Sequence, residues 1–407
     1  MTVPGALALL VAAVPTLLLA IYSVEAISGL WPLAGRKIRG PQPLHPQPSH
    51  SLPRTVVLIP AHNEGAGIAA TIAALRAASD PEIALLVVAD NCSDDTAALA
   101  RGAGADVIER HDPVARGKGY ALAFGRDALA ASPPDCVVVI DADCTVAGQG
   151  VAGLARAAMA SGRACQSCNL QRPDLAASPT AQISSFAFLV KNLVRQRGMV
   201  RMGGVAAMTG TGMAIPWSMF AEAPLASAAL AEDMSLGVWL TRTGRPPLFV
   251  EDVEIWSDAA SGRALLTQRN RWERGFLAVA RHSALPLIAQ GLTRASRSRL
   301  WLGLHILVPP LALLFVSAGV ALAATVLLAL LGGGWLAPGI VAGAACIAGL
   351  ATIAAWARAG RDQISGAALL RTPLYIVAKL PLYRTLLGRS GAQAWVRTRR
   401  PGESDPV

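Results

Sequence analysis

The chain has few charged and few aromatic residues for its length. Of its 407 residues, 15% are charged and 5% are aromatic, whereas 53% are hydrophobic and the mean hydropathy is +0.45. Soluble globular domains usually carry about 25% charged residues, so this composition predicts a membrane protein. The net charge of +10 comes without a helix-turn-helix pattern, zinc-finger spacing or aromatic-basic stacking module. These absences argue against a nucleic-acid partner.

Cysteine and glycine spacings exclude several kinds of site. The six cysteines include one lone C-x-x-C pair, Cys165 and Cys168, without the second ligand pair that a structural zinc site needs. We therefore expect reduced cysteines in a cytoplasmic domain. The glycines around Lys118 do not have P-loop spacing, and the GAGAD sequence at 102–106 falls short of G-x-G-x-x-G. A dinucleotide site is thus not expected.

Uncharged stretches near both ends of the chain predict membrane spans. Residues 5–24 are long enough to cross a hydrocarbon core of about 30 Å. Residues 300–331 and 336–357 predict a helix pair, in which Pro309 and Pro310 should kink or break the first helix. Basic residues follow the first span and flank the pair. The positive-inside rule therefore places the intervening domain in the cytoplasm, at the inner membrane.

Composition divides the chain into six segments. They are predicted as an N-terminal transmembrane helix at 1–30, a Pro-rich linker at 31–50, a catalytic domain at 51–275, an interfacial helix at 276–299, a transmembrane helix pair at 300–358, and an interfacial or re-entrant segment with a basic cytoplasmic tail at 359–407. Residues 372–388 carry Lys379 and Arg384, so whether they span the membrane stays open. The basic stretch at 182–201 has apolar residues at helical spacing, and we expect an amphipathic helix at the lipid surface. The sequence does not indicate an oligomeric state.

Residues 51–290 alternate short apolar runs with helical patterns. The runs VVLIP, IALLVVAD, ADVIER and CVVVID predict strands, and the segments between them predict helices. This alternation is typical of an α/β fold with a doubly wound parallel sheet. Right-handed crossovers would bring Pro60, Asp90 and Asp141 to one edge of the sheet, where such folds bind ligands.

Acidic residues follow several of these strands. Asp141 and Asp143 form a D-A-D motif, and residues two apart in an extended chain share a face. Two carboxylates can then approach one Mn²⁺ or Mg²⁺ ion whose shell is completed by phosphate oxygens; a solvated acidic turn is the alternative. Asp90 could contact a nucleotide or cap the next helix, whereas Asp94 or Asp95 is expected to cap it.

Three further residues suit a diphosphate and a general base. Lys118 near a helix start could meet a diphosphate, or it could be a surface lysine. Glu232 and Asp233 could serve general-base work, because each carboxylate raises the pKa of the other. Alternatively, the pair could simply favour the dipole of the helix that follows.

A cationic-aromatic motif closes the series. Gln268, Arg271 and Trp272 would share one helical turn. An amide, a guanidinium and an indole together suit a sugar acceptor and a departing diphosphate. An Arg/Trp belt at a membrane interface is the alternative.

The ordered motifs resemble those of membrane-associated family 2 glycosyltransferases. They are PAHNE, ADNCSDDT, GKG, DAD, ED and Q-x-x-R-W, within roughly residues 51–290. That family includes cellulose, chitin and hyaluronan synthases and many exopolysaccharide transferases. The resemblance implies the α/β GT-A fold, with a doubly wound mixed sheet flanked by transmembrane and interfacial helices. It also implies inverting transfer from a nucleotide-sugar, with Mn²⁺ or Mg²⁺ as cofactor.

The resemblance implies a role for each matching residue. The nucleotide-sugar would contact Pro60, Ala61, Glu64, Asp90, Lys118 and Asp141. Asp143 would hold the metal, and Asp233 would be the general base that deprotonates the acceptor hydroxyl. The acceptor and leaving diphosphate would contact Glu232, Gln268, Arg271 and Trp272. Residues 209–216 match the floor of the acceptor site. Ala89 stands where the family often has a second acid beside Asp90, so this chain lacks that acid.

The small number of predicted spans favours one function among three. Three or four spans are too few for a secretion channel built from one chain. We therefore expect transfer of a single sugar from a UDP-sugar to a membrane-held acceptor, such as a polyprenyl-diphosphate glycan or a glycolipid in polysaccharide assembly. A processive polysaccharide synthase, which Q-x-x-R-W favours, is one alternative. A noncatalytic membrane scaffold that senses sugar nucleotides is the other.

Overall fold

A computed structural model describes residues 2–33, 52–259 and 262–378 of the chain. Most of the predicted linker at 31–50, and the C-terminal segment from Lys379 onward, lie outside the described residues. The described residues form two compact units, and helices and strands are numbered in chain order. The first unit comprises 2–32, 173–203 and 276–378, and the second comprises 33, 52–172, 204–259 and 262–275.

The second unit is built around a mixed sheet with eight strands among the described residues. The strands are β1 (Thr55–Ala61), β2 (Ala84–Asp90), β3 (Asp106–Arg110), β4 (Cys136–Val139), β5 (Cys144–Gly148), β6 (Cys165–Gln171), β7 (Met213–Pro216) and β8 (Leu248–Ser257). They lie in the order β3-β2-β1-β4-β7-β6-β8-β5. β1 to β4 run parallel, whereas β7 is antiparallel to both its neighbours and β5 is antiparallel to β8.

Helices cover both faces of this sheet. The helices of this unit are α2 (Ile68–Ala77), α3 (Thr96–Gly102), α4 (Lys118–Leu129), α5 (Gly150–Ser161), α8 (Trp217–Glu222), α9 (Glu232–Arg242) and the first part of α10 (Gly262–Thr293). Alternate residues of β1 face opposite cores because successive side chains of a strand point to opposite faces. Val57 packs with Ile72 of α2, and Leu58 packs with Leu122 of α4. The predicted doubly wound mixed sheet is confirmed.

The carboxyl ends of the parallel strands position the acidic motifs. β2, β1 and β4 are direct neighbours, and Pro60 of β1 lies opposite Val88 of β2. The segment after β4 is fixed to β1 because Ile140 N donates to Leu58 O at 3.2 Å. Asp90 at the end of β2 and Asp141 after β4 therefore lie at one edge, as the sequence predicts.

The first unit contains three helices that are long and apolar enough to cross a membrane. They are α1 (Val3–Ser28), α12 (Leu311–Leu328) with a π-helical turn that extends it to Gly333, and α13 (Leu336–Ala355) with a π-helical turn that extends it to Gly360. The predicted break at Pro309 and Pro310 is confirmed. α11 (Arg297–Leu307) ends before these prolines, and α12 begins directly after them, since proline cannot donate the hydrogen bonds of a continuous helix. The apolar span therefore starts at Leu311 rather than at residue 300.

Residues 173–203 belong to the first unit. They form α6 (Pro179–Leu189), a π-helical turn (Val190–Val194) and α7 (Arg195–Gly203). The expected amphipathic surface helix is wrong for this stretch, because polar Asn192 and Gln196 are buried together with Phe186. α1 and α11 both pack against α7, and these long-range contacts cover the faces that the spacing alone leaves open.

A buried polar cluster joins three helices of the first unit. Glu25 of α1 is 0% exposed and accepts a hydrogen bond from Arg195 Nε at 2.7 Å. His305 Nδ1 of α11 lies 3.0 Å from Glu25 Oε1, and Arg195 Nη2 donates to the His305 carbonyl at 3.2 Å. We refer to Glu25, Arg195 and His305 as the Glu25 cluster. Full burial of a charge requires this kind of pairing.

α10 contains residues of both units. α10 is one continuous helix, and its residues from Phe276 onward belong to the first unit together with α14 (Gly366–Leu370) and α15 (Thr372–Ala378). The predicted interfacial helix at 276–299 thus corresponds to the second part of α10 and the start of α11. The predicted domain boundaries remain predictions.

Candidate functional site

An ammonium group lies at the centre of the acidic edge. Lys118 is the first residue of α4, and its Nζ donates to Asp141 Oδ1 and, at 2.7 Å, to the carbonyl of Gly210. The same Nζ lies 3.9 Å from Glu232 Oε1. Burial opposes the charge of Lys118, but Asp141 and Glu232 outweigh burial and raise the pKa of the ammonium above its ordinary value. Lys118 therefore stays charged between the two acids.

The D-A-D motif forms a compact group of possible ligand atoms. Atoms of Asp141, Asp143 and Cys144 lie within 4.8 Å of one another. The expected extended geometry is wrong, because β4 ends at Val139 and the motif forms a turn closed by a hydrogen bond from Cys144 N to Asp141 O at 3.1 Å. The turn, rather than the alternation of a strand, brings the carboxylates together.

The donor atoms of this group fit a hard divalent cation. Burial, followed by the charges of Asp143 and Asp141, raises the pKa of the Cys144 thiol well above its ordinary value. A hard cation prefers oxygen to sulfur, so the two carboxylates are the candidate ligands of this group. Mg²⁺ and Mn²⁺ prefer such oxygen ligands and fill their shells with phosphate oxygens. Asp143 is exposed and can meet such a ligand.

Two adjacent carboxylates begin α9. Glu232 and Asp233 are the first two residues of this helix. Burial, and then the negative charge of Asp233, raises the pKa of Glu232 to about 7, although the Lys118 ammonium opposes that shift. One member of the pair can thus hold a proton near neutral pH while the other is ionised, which is the property of a site for proton transfer.

The first part of α10 contributes the guanidinium of Arg271 and the side-chain amide oxygen of Gln268. Burial lowers the pKa of Arg271, while the negative charges of Glu232, Asp141 and Asp143 oppose that shift. The structure therefore places Arg271 within electrostatic reach of the acids that follow β4 and begin α9. Gln268 Oε1 is buried and has no hydrogen-bond partner within the described residues. Trp272 is half-buried next to Arg271 on the same helix.

The residues predicted for the base and ribose lie at the ends of β1 and β2. Pro60 and Ala61 end β1, and Glu64 follows in the loop, where its backbone N–H donates to Thr96 Oγ1 at 2.7 Å. Asp90 is 7% exposed, and its Oδ1 accepts a hydrogen bond from Asn91 Nδ2 at 3.0 Å. These residues share an edge with the D-A-D turn, but their nucleotide contacts remain predictions.

Arg110 was not identified from the sequence, although it lies beside Asp90. It is the last residue of β3; its Nη1 donates to Asp90 Oδ1 at 2.7 Å and its Nη2 to Asp112 Oδ2 at 3.0 Å. Its guanidinium lies 5.5 Å from the ring centroid of Tyr120. Its position at the carboxyl end of a third parallel strand was the available signal, because the same rule identified Asp90.

Asp94 and Asp95, which follow Asp90, differ in their contacts. Asp94 accepts hydrogen bonds from Gly65 N at 3.0 Å and from Thr96 N at 3.1 Å, so it joins the loops that follow β1 and β2. Asp95 is the N-cap residue of α3, but its side chain makes no capping hydrogen bond. The capping expectation is therefore wrong for Asp95.

A glycine-rich segment lies against the acids. Gly210 has a φ of +88°, and a Cβ there would lie 3.2 Å from Asp233 Oδ2 and 3.5 Å from Lys118 Nζ. Gln166, also not identified from the sequence, fixes this segment by donating to Thr211 O at 2.8 Å and accepting from Thr209 N at 2.9 Å. Cys165 and Cys168, which lie on β6 on either side of Gln166 and Ser167, are buried, and neither forms a disulfide bond among the described residues.

Comparisons with known proteins agree on the family and the fold. The sequence profile of glycosyltransferase-like family 2 matches residues 53–275. The mannosyltransferase PcManGT from Pyrobaculum calidifontis, solved in complex with GDP-Man and Mn²⁺, has a similar structure, with a TM-score of 0.54 and 17% identity over 87% of this chain and 97% of that one. Glucosyl-3-phosphoglycerate synthase from Mycobacterium tuberculosis, solved with Mn²⁺ and UDP-Glc, matches 56% of this chain and 79% of its own with 22% identity and a TM-score of 0.39. A comparison with curated proteins finds no match.

The profile match covers more than half of the 407 residues and contains every predicted site residue. It coincides with the eight-stranded sheet and its acidic edge. The sequence, the sheet and the structural similarity therefore lead to one conclusion: the chain belongs to glycosyltransferase-like family 2 and is a glycosyltransferase of the GT-A type.

Proposed function

We propose that the chain transfers one sugar from a UDP-sugar to a hydroxyl group of a membrane-associated acceptor, with inversion at the anomeric carbon. The acceptor class would be a polyprenyl-diphosphate glycan or a glycolipid in polysaccharide assembly. One observation carries the proposal: Lys118 lies between Asp141 of the D-A-D turn and Glu232 of the carboxylate pair. A site for a metal-bound diphosphate thus adjoins a site for proton transfer.

The D-A-D turn supports the donor half of the site. Asp143 would hold Mn²⁺ or Mg²⁺, with Asp141 beside it, because both carboxylates fit a hard cation. When bound, the cation would neutralise the charge of the diphosphate. PcManGT binds GDP-Man with Mn²⁺, and the mycobacterial synthase binds UDP-Glc with Mn²⁺, which supports a nucleotide-sugar as the donor class.

The carboxylate pair supports the acceptor half. Asp233 would accept the proton of the acceptor hydroxyl while its oxygen attacks the anomeric carbon in line. The bond between that carbon and the diphosphate oxygen breaks, and the electron pair leaves with the nucleoside diphosphate. The positive charge of Arg271 would stabilise the negative charge that develops on this leaving group.

The apolar helices support a membrane-held acceptor. Among the described residues, three helices are long and apolar enough to cross a bilayer. The basic residues that flank the predicted spans favour an inner-membrane protein whose catalytic unit is cytoplasmic. Nucleotide-sugars would then reach the site from the cytoplasm.

Donor binding and product size test the proposal. Purified protein in detergent should be stabilised by one of the UDP-, GDP- or dTDP-sugars together with Mn²⁺, and we expect a UDP-sugar. Transfer to a polyprenyl-diphosphate glycan should add one residue, with an inverted anomeric configuration in the NMR spectrum. Asp233→Asn should abolish transfer and preserve donor binding. Undiminished transfer by that variant contradicts the assignment of the base.

A processive synthase is the second candidate function. Three residues of α10 favour it, namely Gln268, Arg271 and Trp272. The buried amide oxygen of Gln268, which has no hydrogen-bond partner among the described residues, and the indole of Trp272 suit a growing glycan. The two functions differ in product size, since a processive enzyme gives a ladder of long products. A noncatalytic scaffold would leave donor sugar untransferred, and it would not need both Asp143 and Asp233.

A further inference from the structure

The Lys118 ammonium group has three hydrogens to donate. Two of them are donated to Asp141 Oδ1 and to the carbonyl of Gly210. Glu232 Oε1 is within ion-pair distance at 3.9 Å. Two of the three hydrogens are thus accepted by the protein itself, and an acid of the carboxylate pair lies beside the same ammonium.

We propose that Lys118 is a positioning residue that ties the metal-site acid Asp141 to the acceptor-side acid Glu232, rather than a residue that binds the nucleotide. The inference rests on the proposed function and gives Lys118 a different role from the one that the family resemblance implies. Lys118 fixes the distance between the two halves of the site through its own contacts.

Electrostatics explain why such a link is needed. The charged groups that face Glu232 are Asp233 on its own helix, Lys118 on α4, Asp141 after β4, and Arg271 on α10. The site thus has four carboxylates and two cations: the acids are Glu232, Asp233, Asp141 and Asp143, and the cations are Lys118 and Arg271. Removing the ammonium leaves like charges facing one another across a partly buried edge, which separates the acids or protonates them.

Gly210 provides the space for this arrangement. A side chain at this position would approach both Lys118 Nζ and Asp233 Oδ2, and the left-handed φ of +88° favours glycine. The carbonyl of Gly210 then points at the ammonium and accepts its hydrogen bond. The ammonium, the carbonyl and the base thus meet with no side chain between them.

A separation of donor affinity from turnover tests this role. Lys118→Met removes the charge and keeps an unbranched side chain. We expect kcat to fall by about tenfold or more, while the KM for the sugar nucleotide and the calorimetric Kd of UDP with Mn²⁺ stay within about threefold. A rise in that Kd of about tenfold or more with kcat unchanged would show a nucleotide contact and overturn the proposal.

Coupling to Glu232 gives a second, independent measurement. In a Glu232→Gln background, Lys118→Met should cost much less kcat than in the wild type, because the neutral amide no longer needs a counter-charge. Losses that simply multiply would overturn the link to Glu232. Arg245→Met is the matched control, because Arg245 forms an ion pair with Glu222 at 2.9 Å and neither residue belongs to the site. The effect of Arg245→Met on kcat should be the same in the wild type and in Glu232→Gln.

Two further measurements separate misfolding and a wrong function from a wrong role. Lys118→Arg keeps the charge, and its thermal unfolding shows whether the position tolerates substitution; we expect partial recovery of kcat relative to Lys118→Met. If the wild type transfers no sugar, the proposed function fails. The calorimetric Kd of UDP with Mn²⁺ still tests Lys118 in that case, because unchanged affinity in Lys118→Met supports the role and a tenfold loss overturns it.

Discussion

The Arg110 guanidinium holds the Asp90 carboxylate at 2.7 Å, and both side chains are only 10% exposed. Arg110 also binds Asp112, so it fixes Asp90 at the edge of the sheet from the neighbouring strand. A carboxylate fixed in this way accepts hydrogen bonds in one direction, as reading the N–H edge of a base requires. Base recognition by Asp90 would thus depend on a residue that does not itself need to touch the base.

Replacing Arg110 tests that dependence. Arg110→Met should raise the KM and the calorimetric Kd for the donor by about tenfold and leave kcat within about threefold, because the lost interaction serves binding. Arg101→Met is the matched control, since Arg101 forms an exposed ion pair with Glu109 at 2.6 Å. An Arg110→Met variant with unaltered donor affinity would show that Asp90 needs no such support.

The D-A-D turn predicts that two neighbouring residues differ in their importance for metal binding. Asp143→Asn should weaken Mn²⁺ binding by about tenfold or more, because the amide carries no charge. Cys144→Ser should keep the affinity within about twofold, since a hard cation prefers oxygen ligands and gains little from the sulfur. Electron paramagnetic resonance of free Mn²⁺ measures both. Equal losses in the two variants would make the Cys144 sulfur a ligand.

The carboxylate pair predicts how activity depends on pH. Because the pKa of Glu232 is raised to about 7, kcat/KM should rise with pH through an acidic limb near that value. Glu232→Gln removes this titration, so the limb should move to lower pH by about one unit or more. Rates measured between pH 5 and pH 9 decide the matter, and a limb that stays in place contradicts the assignment to Glu232.

The same pair has a consequence for stability. A raised pKa means that the folded state holds the proton more tightly than the unfolded chain does. This contribution is complete below pH 4.5, the ordinary pKa of a glutamic acid, and is lost as pH rises to about 7. The wild type should therefore lose stability relative to Glu232→Gln across that interval. Thermal unfolding of the two proteins at each pH measures the difference.

The Glu25 cluster predicts a strong effect of breaking a buried ion pair. Arg195→Met leaves Glu25 with His305 as its remaining partner in the cluster and should lower the free energy of unfolding by about 3–5 kcal/mol. The double variant with Glu25→Gln should recover most of that loss, because no buried charge remains. Unfolding in detergent measures both, and Arg361→Met is the control, since Arg361 is exposed. A double variant as unstable as Arg195→Met would contradict the charge-based explanation.

Local patterns were sufficient for much of the fold and for the positions of the acids. The apolar runs that end at Ala61, Asp90 and Val139 form strands because hydrophobic content of that length specifies a buried strand. Right-handed crossovers then bring the carboxyl ends of β1, β2 and β4 to one edge of the sheet, whereas the strand order itself was not predicted. The break at Pro309 and Pro310 follows from the chemistry of proline alone.

The sequence did not predict features that depend on contacts between residues far apart in the chain. The ion pair of Arg110 with Asp90 and the hydrogen bonds of Gln166 to the glycine-rich segment link residues far apart in sequence. The burial of Asn192 arises in the same way, because the helices around it cover faces that helical spacing predicts to be open. Periodicity reports one element at a time, whereas these contacts belong to the assembled unit.

The Glu25 cluster also constrains the order of events during biosynthesis. The ribosome completes α1, with its carboxylate near the end of the apolar helix, long before Arg195 and His305 exist. During that interval the helix carries an uncompensated acid, and its position near the helix end limits the cost of insertion. The helix can settle in its final place only after Arg195 and then His305 have been made. The final packing of α1 is therefore tied to synthesis of the chain beyond residue 275, and a truncated chain would leave α1 incompletely paired.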